Sequence, residues 1–329
     1  MTRVAAVDCG TNSLRLLIAD VEPAAGGSGG HLGDVARQME IVRLGQGVDR
    51  TGRLAPQALA RTFDVLRRYA ETITATGAAA VRMVATSATR DAQNAEDFRT
   101  GVRAILGIDP EVISGNEEAA LSFAGATVEL AQTGPPGPYL VVDIGGGSTE
   151  FVLGEAGGRI TASASFDIGC VRLTERHLHG DPPAAAEVAA ATSDIDAALD
   201  MVGVKMPEAG AATLVGLAGS VTTVAGIALG LPSYDPSLLH HAQIPAYQVH
   251  AVTERLFRSS HAQRAVIGVM HPGRVDVIGG GALILDRVMT RFGFAHVLAS
   301  EHDILDGIAW SLASAQASAT TADAAGPLP

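Results

Sequence analysis

The stretch VVDIGGGSTE, Val141–Glu150, runs from an apolar segment into an aspartate, three successive glycines, two hydroxyls and a glutamate. Glycine has no side chain to pack and loses more backbone freedom on folding than any other residue. Successive glycine amides can line one concave side of a turn, a nest for an anion, and the missing Cβ atoms let that anion come close. The flanking acids argue the other way. A carboxylate ~4 Å from a phosphate charge is repelled by about 4 kcal/mol at an effective dielectric near 20. A divalent cation reverses that sign, and Mg2+ is commonly held by one or two carboxylates together with substrate phosphates. Glycines and acids are coherent when phosphates and a Mg2+ or Mn2+ ion share the site. The bland alternative is a tight hairpin with no ligand.

The same design stands at the head of the chain. Arg3–Val7 reads as a strand, DCGTNS (Asp8–Ser13) as its turn, and Leu14–Val21 as the return strand. The acids Asp8 and Asp143 open two turns about 135 residues apart. Gly10, Thr11, Asn12 and Ser13 offer donors on the first tip; Gly145, Gly146, Gly147 and Ser148 offer them on the second. Two such halves facing each other make a cleft, where small ligands bind. Asp8, Asp143 and Glu150 are then the candidate metal acids.

The remaining pattern is α/β. Arg37–Gln46 reads as a third strand, after a Gly-rich stretch, Ala24–Asp34, expected to loop out. Apolar residues recur at helical spacing from Pro56 to Thr76. Val81–Thr86 and Pro110–Ser114 read as strands, Asn94–Leu106 and Gly115–Leu130 as helices, the latter with Glu117 and Glu118 in its first turn. After the break at Thr133–Pro138 come the second hairpin, a strand at Ile160–Phe166, and helices at Val171–His179 and Pro183–Met201. Thr213–Leu229 reads as strand, turn and helix; Ala246–Phe257 and Ser260–Ile267 as helices. Gly273–Met289 reads as a helix interrupted by Gly279–Gly281, whose glycines suit close helix packing. His296–Ser300 is a strand and Ile304–Ala315 a last helix, which crosses back to the first half. The expected division is 1–125, 126–303 and a disordered tail, 316–329.

With 329 residues, 47% apolar and 18% charged, the chain can bury a full core in roughly two domains. It has no apolar run long enough for a bilayer and no N-terminal signal region, so no membrane association and a cytoplasmic location are expected. A net charge of −12 argues against nucleic acid as partner but not against a small polyanion in a locally cationic cleft. The two cysteines, Cys9 and Cys170, read as small core residues.

VDCGTNSLRLLIAD, ATSATRDAQNAEDF, EVISGNEEAALSF, VVDIGGGSTEFVLG, DIGCVRLTE and GLAGSVTT, in this order, resemble the exopolyphosphatase / guanosine pentaphosphate phosphatase (Ppx/GppA) family from about Arg3 to Leu312. The resemblance implies two RNase H-like domains of the actin/hexokinase/heat-shock-ATPase superfold around a cleft. It implies Glu118 as general base, Asp143 and Glu150 as acids of the metal and phosphate site, and Asp8 with Gly10, Asn12 and Ser13 at the first turn. Gly145 to Ser148 form the second phosphate loop, and Arg90 suits phosphate oxygens. The activity implied is release of orthophosphate from the end of linear polyphosphate. Removal of the 5′ γ-phosphate of guanosine pentaphosphate, or a non-catalytic sensor of either polyanion, are the alternatives. A homodimer is expected.

The chain departs from the family pattern in stopping after the second domain, which speaks against long-chain processivity, and in Asp306, where many members have an arginine. Three further stretches carry chemistry-bearing side chains. HPGR places Arg274 near the cleft rim or on a solvated turn. HH (His240–His241) and EHD (Glu301–Asp303) lack helix-face ligand spacing and are not expected to be the primary metal site.

Overall fold

The structure, a computed structural model, describes residues 1–23, 30–155, 158–206 and 211–324. In the first half, β1 (Thr2–Cys9), β2 (Ser13–Pro23) and β3 (Gly30–Ile41) form an antiparallel meander. There follow α1 (Val48–Thr51), α2 (Pro56–Thr76), β4 (Ala80–Ala85), α3 (Ser87–Arg90), α4 (Ala95–Leu106), β5 (Glu111–Val112) and α5 (Gly115–Thr133). The sheet order is β3-β2-β1-β4-β5, with β4 parallel to β1 and β5 parallel to β4.

The second half repeats this order. β6 (Tyr139–Ile144), β7 (Thr149–Gly154) and β8 (Ile160–Phe166) form its meander. Then come α6 (Cys170–His177), α7 (Ala185–Lys205), β9 (Thr213–Leu217), α8 (Ala218–Ala228), α9 (Pro236–Leu239), β10 (Gln243–Pro245), α10 (Ala246–Arg258), α11 (His261–Ala265), α12 (Ile278–Phe292), β11 (His296–Ala299) and α13 (Ile304–Ala324). β9 pairs parallel to β6 and β11 parallel to β9, while β10 adds an antiparallel edge.

Each sheet has one face covered by its own helices. Leu59, Leu66, Ile73 and Phe98 seal the first, and Ile195, Leu199, Ile284 and Val288 belong to the larger core of the second. The other two faces are covered by an exchange of helices. α5, which follows the first sheet, packs Ala119, Phe123, Ala126 and Leu130 on the second. α13, which follows the second sheet, packs Ile304, Leu305 and Ile308 beneath β1 and β2. The two helices cross each other with backbone nearly touching backbone. A Cβ on Gly125 would overlap the Asp303 carbonyl oxygen, and one on Gly307 the Leu121 carbonyl oxygen. The division at 125/126 falls inside α5. Salt bridges close the halves elsewhere: Arg176 of α6 reaches Asp49 of α1 at 2.7 Å, and Arg43 reaches Asp276 at 2.6 Å.

Several expectations shift. Gly30–Asp34 is not loop but the start of β3, because its backbone pairs with Ala19–Pro23 of β2; residues 24–29 lie outside the described residues. α12 is not interrupted at Gly279–Gly281. It begins at Ile278 after a short 3-10 turn, Pro272–Arg274, and the glycines let it press on Cys170 and Ser220. The alanine-rich segment after Ala315 continues α13 to Ala324, as alanine's helix propensity allows; 325–329 lie outside the described residues. Asn94 sits at the N-terminus of α4 but spends its side chain on Leu54 and Asp97. Among the described residues no helix is long and apolar enough to cross a membrane.

The glycine crossing leaves no slack, because the neighbours are backbone atoms. Gly307→Ala and Gly125→Ala are each expected to destabilise by about 2–3 kcal/mol, read as a lowered denaturation midpoint. Midpoints equal to that of the parent chain would show that the crossing can relax.

Candidate active site

The two hairpins carry their acids in equivalent registers. Asp8 lies opposite Arg15 across β1 and β2, and Asp143 lies opposite Glu150 across β6 and β7. Each tip is closed by the same bond: Gly10 N donates to Ser13 O at 3.0 Å, and Gly145 N to Ser148 O at 3.1 Å. The tips meet at the junction of the halves. Gly146 approaches Thr11 so closely that an added Cβ would stand 3.0 Å from the Thr11 Cβ. At Gly147 it would stand 2.6 Å from Ser87 Oγ and 2.7 Å from Thr11 Oγ1. The Gly145 and Gly146 carbonyls accept from Cys170 and Val171, which seats the second tip on the start of α6.

Between the tips opens a cleft of about 90 Å³. Asp8, Glu118 and Asp143 line it, as do Gly10, Thr11, Asn12 and Ser13 on one tip and Gly145, Gly146 and Ser148 on the other. Three expected residues stand apart. Gly147 is consumed by the contact between tips, and its carbonyl accepts from Arg172 Nε at 2.6 Å. Glu150 is 1% exposed and sits behind Asp143, with Oε1 accepting from Ser165 Oγ at 2.7 Å. Arg90 lies behind Glu118, its Nη1 3.2 Å from Glu118 Oε2 and 3.0 Å from the Ile113 carbonyl. It is hydrogen-bonded and ion-paired to the glutamate.

Charge is the dominant feature of the site. Burial pushes Asp143 up to about 6, assisted by Asp303 and Asp8. Burial pushes Glu118 up to about 8; Arg90 opposes the shift, and Asp143 and Asp8 add to it. Glu150 is raised well above the carboxylate range by burial and by Glu118 and Asp143. Asp8 is raised by burial despite Arg15. The partners offered are few. Asp143 Oδ2 accepts one hydroxyl, Ser122 Oγ at 2.7 Å. Asp8 Oδ2 is held by Arg15 at 2.8 Å, while its Oδ1 is buried with no hydrogen-bond partner. An orphaned carboxylate oxygen and two buried acids in one cross-strand register fit a hard divalent cation with oxygen ligands.

Two arginines complete the cleft. Arg15 bridges Asp8 and Asp303. It occupies the position that Glu150 holds in the other hairpin, so counting outward from both tips would have found it. Arg274 lines the cleft, its guanidinium pressed onto the Gly219 backbone and Nη1 3.4 Å from Thr223 Oγ1. Among the described residues it has no ion-pair partner. Asp306, at the position where an arginine was expected, is buried, paired with Arg37, and accepts from the Asp303 amide at 2.9 Å.

Duplicated five- and six-stranded sheets with exchanged helices and a phosphate-sized, acid-lined cleft define an α/β protein of two RNase H-like domains. The profile of the Ppx/GppA phosphatase family matches residues 24–315, and the chain belongs to that family. It is 50% identical to exopolyphosphatase 2 of Mycobacterium tuberculosis over 322 residues, 95% of this chain and 99% of that one. A solved exopolyphosphatase-like protein superposes with a TM-score of 0.88 at 40% identity, covering 93% of this chain and 97% of its own. The Aquifex aeolicus member of the Ppx/GppA family gives 0.78 at 30% identity, covering 96% and 98%.

The raised acids set the sign of a pH effect. With folded pKa values above the unfolded ones, the folded chain holds protons that the unfolded chain has lost. Cation-free protein is therefore expected to lose stability from this cluster as pH rises from about 4 through about 8. Added Mg2+ should restore more stability at pH 8 than at pH 5. Thermal unfolding with and without Mg2+ measures this; an Mg2+ increment equal at both pH values would contradict the charge assignment.

Proposed function

We propose that this chain is an exopolyphosphatase: it hydrolyses the terminal phosphoanhydride bond of linear inorganic polyphosphate and releases orthophosphate. The supporting observation is the convergence of Glu118, from the start of α5, on the cleft where Asp8 and Asp143 of two separate sheets meet. Phosphoryl transfer depends mostly on positioning and charge stabilisation, and the residues divide that work. The tips carrying Thr11, Asn12, Ser13 and Ser148 hold the terminal phosphates, and Arg274, free of a carboxylate partner, takes phosphate oxygens in its planar fork. Asp8 and Asp143, with Glu150 behind, would hold Mg2+ or Mn2+, which when bound neutralises phosphate charge. Glu118, directed by Arg90, orients the attacking water and takes its proton; a base whose pKa is lifted toward neutrality suits that task.

Guanosine pentaphosphate is the second reading, favoured by one feature. A pocket of about 470 Å³ opens beside the cleft and shares Arg15, Gly219 and Arg274 with it. Met39, Tyr234, Val269 and Met270 give it apolar walls that a nucleoside could enter.

Phosphate release from polyphosphates of graded length, against the nucleotide, with and without Mg2+, tests the assignment. Mg2+-dependent release from polyphosphate is expected. Glu118→Gln should keep substrate binding and lower turnover about 100-fold or more. Binding without release by the parent chain would instead make it a sensor, and normal turnover in the variant would remove Glu118 from the chemistry.

Arg274→Ala should raise KM for polyphosphate about 10-fold or more, the scale of a lost hydrogen bond to a charged group. An unchanged KM would place the phosphate chain elsewhere.

A further inference from the structure

Two histidine-bearing stretches that the cleft does not use meet beside α5. His240 Nε2 lies 3.1 Å, and His302 Nδ1 3.3 Å, from one oxygen, Glu129 Oε2. One ligand atom from each of these residues falls within 4.8 Å of the others. Zn2+ holds imidazole nitrogen and carboxylate oxygen at ~2.0–2.2 Å in a tetrahedron, which sets neighbouring ligand atoms roughly 3.3–3.5 Å apart. The spacings at Glu129 are close to that edge. Hydrogen bonding to the carboxylate also accounts for such distances, so the titration below has to separate the two. A third ring joins them: His241 stacks on His240 at 3.8 Å with its backbone in the left-handed region, φ 61. The Nε2 of His241 is buried with no hydrogen-bond partner.

We propose that Glu129, His240 and His302 form a second metal site, separate from the acid cleft, for a Zn2+-class divalent cation. Two imidazoles and one carboxylate favour Zn2+ over Mg2+, which asks for six oxygens in a near-ideal octahedron. His240 and His302 are partly buried and Glu129 is exposed, so an ion can reach all three. They come from α5, the turn after α9 and the approach to α13. A bound ion ties together the helices that the two halves exchange.

The site has a built-in readout. His240 Nδ1 accepts the Glu301 amide at 3.2 Å, which leaves the ring proton on Nε2, facing Glu129. Coordination through Nε2 moves that proton to Nδ1, and the Glu301 amide loses its acceptor. Glu301 in turn accepts the Tyr234 hydroxyl at 2.6 Å on the wall of the pocket beside the cleft.

The test is Zn2+ titration of the full chain, in competition with a chromophoric chelator and with Mg2+ saturating the cleft. One Zn2+ per chain is expected. Glu129→Gln, His240→Asn and His302→Asn should each weaken binding about 100-fold or more, above the 10–100-fold loss typical of outer-shell partners. Asp143→Asn should leave it unchanged. Co2+ in place of Zn2+ should give the visible absorption of a tetrahedral centre, lost in the same three variants. Glu129→Gln, a change at a half-exposed carboxylate, should melt with the parent chain in the absence of zinc. No Zn2+ uptake, uptake that survives all three ligand variants, or uptake abolished by Asp143→Asn would each overturn the site.

Discussion

Like charge confined in a small volume is the constraint on which the structure turns. Asp8, Glu118, Asp143 and Glu150 are all buried, and each raises the pKa of at least one of the others or is raised by them. Only Asp8 and Glu118 have an arginine against the carboxylate. A chain selected for stability alone would place apolar residues here, since unpaired buried charge is costly. The cluster is tolerated because the rest of the fold holds it. The hairpin turns fix the aspartates, and the contact of Thr11 with Gly146 and Gly147 fixes one hairpin against the other.

The helix exchange is what brings the fourth acid in. Glu118 belongs to a helix that follows the first sheet yet rests on the second. Its neighbour Ser122, one turn on, donates to Asp143, so a single helix supplies Glu118 and holds an acid of the opposite half. That geometry needs α5 and α13 to cross at backbone distance, which glycine at 125 and 307 permits. Asp303, at the start of α13, completes the circuit by holding Arg15, which holds Asp8. Core packing and site electrostatics therefore share residues. A change in the angle between the helices would move Glu118 and Arg15 together.

Much of this was legible in the sequence because it is local. A strand, an acid, a glycine turn and a return strand are written within fifteen or so residues, and their repetition exposes the duplication. Glu118 was marked only by its family motif, since an acid in a helix first turn is ordinary. What escaped is long-range. Gly147 reads like its two neighbours, yet its role is set by Thr11 and Ser87, which meet it only in the folded state. Arg90 reads as a phosphate ligand, and its hydrogen bond to Glu118, 28 residues on, shows only in the folded state. The two histidine stretches carry no periodic spacing, because their shared partner, Glu129, lies more than a hundred residues upstream of either. Gly30–Asp34 resembles a linker by composition, and only pairing with β2 makes it a strand.

The duplication is most informative where it fails. Both hairpins place an aspartate two residues before the first glycine of the tip, and both place a charged residue opposite it. In the first hairpin that partner is Arg15, which offsets Asp8 while also pairing with Asp303. In the second it is Glu150, and the pair bears two negative charges when ionised. A cation entering the cleft removes far more repulsion beside Asp143 and Glu150 than beside Asp8 and Arg15. The repulsion that a cation would relieve is thus concentrated at the second tip. At the first tip Arg15 already offsets part of the charge of Asp8, and Arg274 lines the same cleft. A single exchange of charge at one strand position turns two copies of one hairpin into two electrostatically different walls of one cleft.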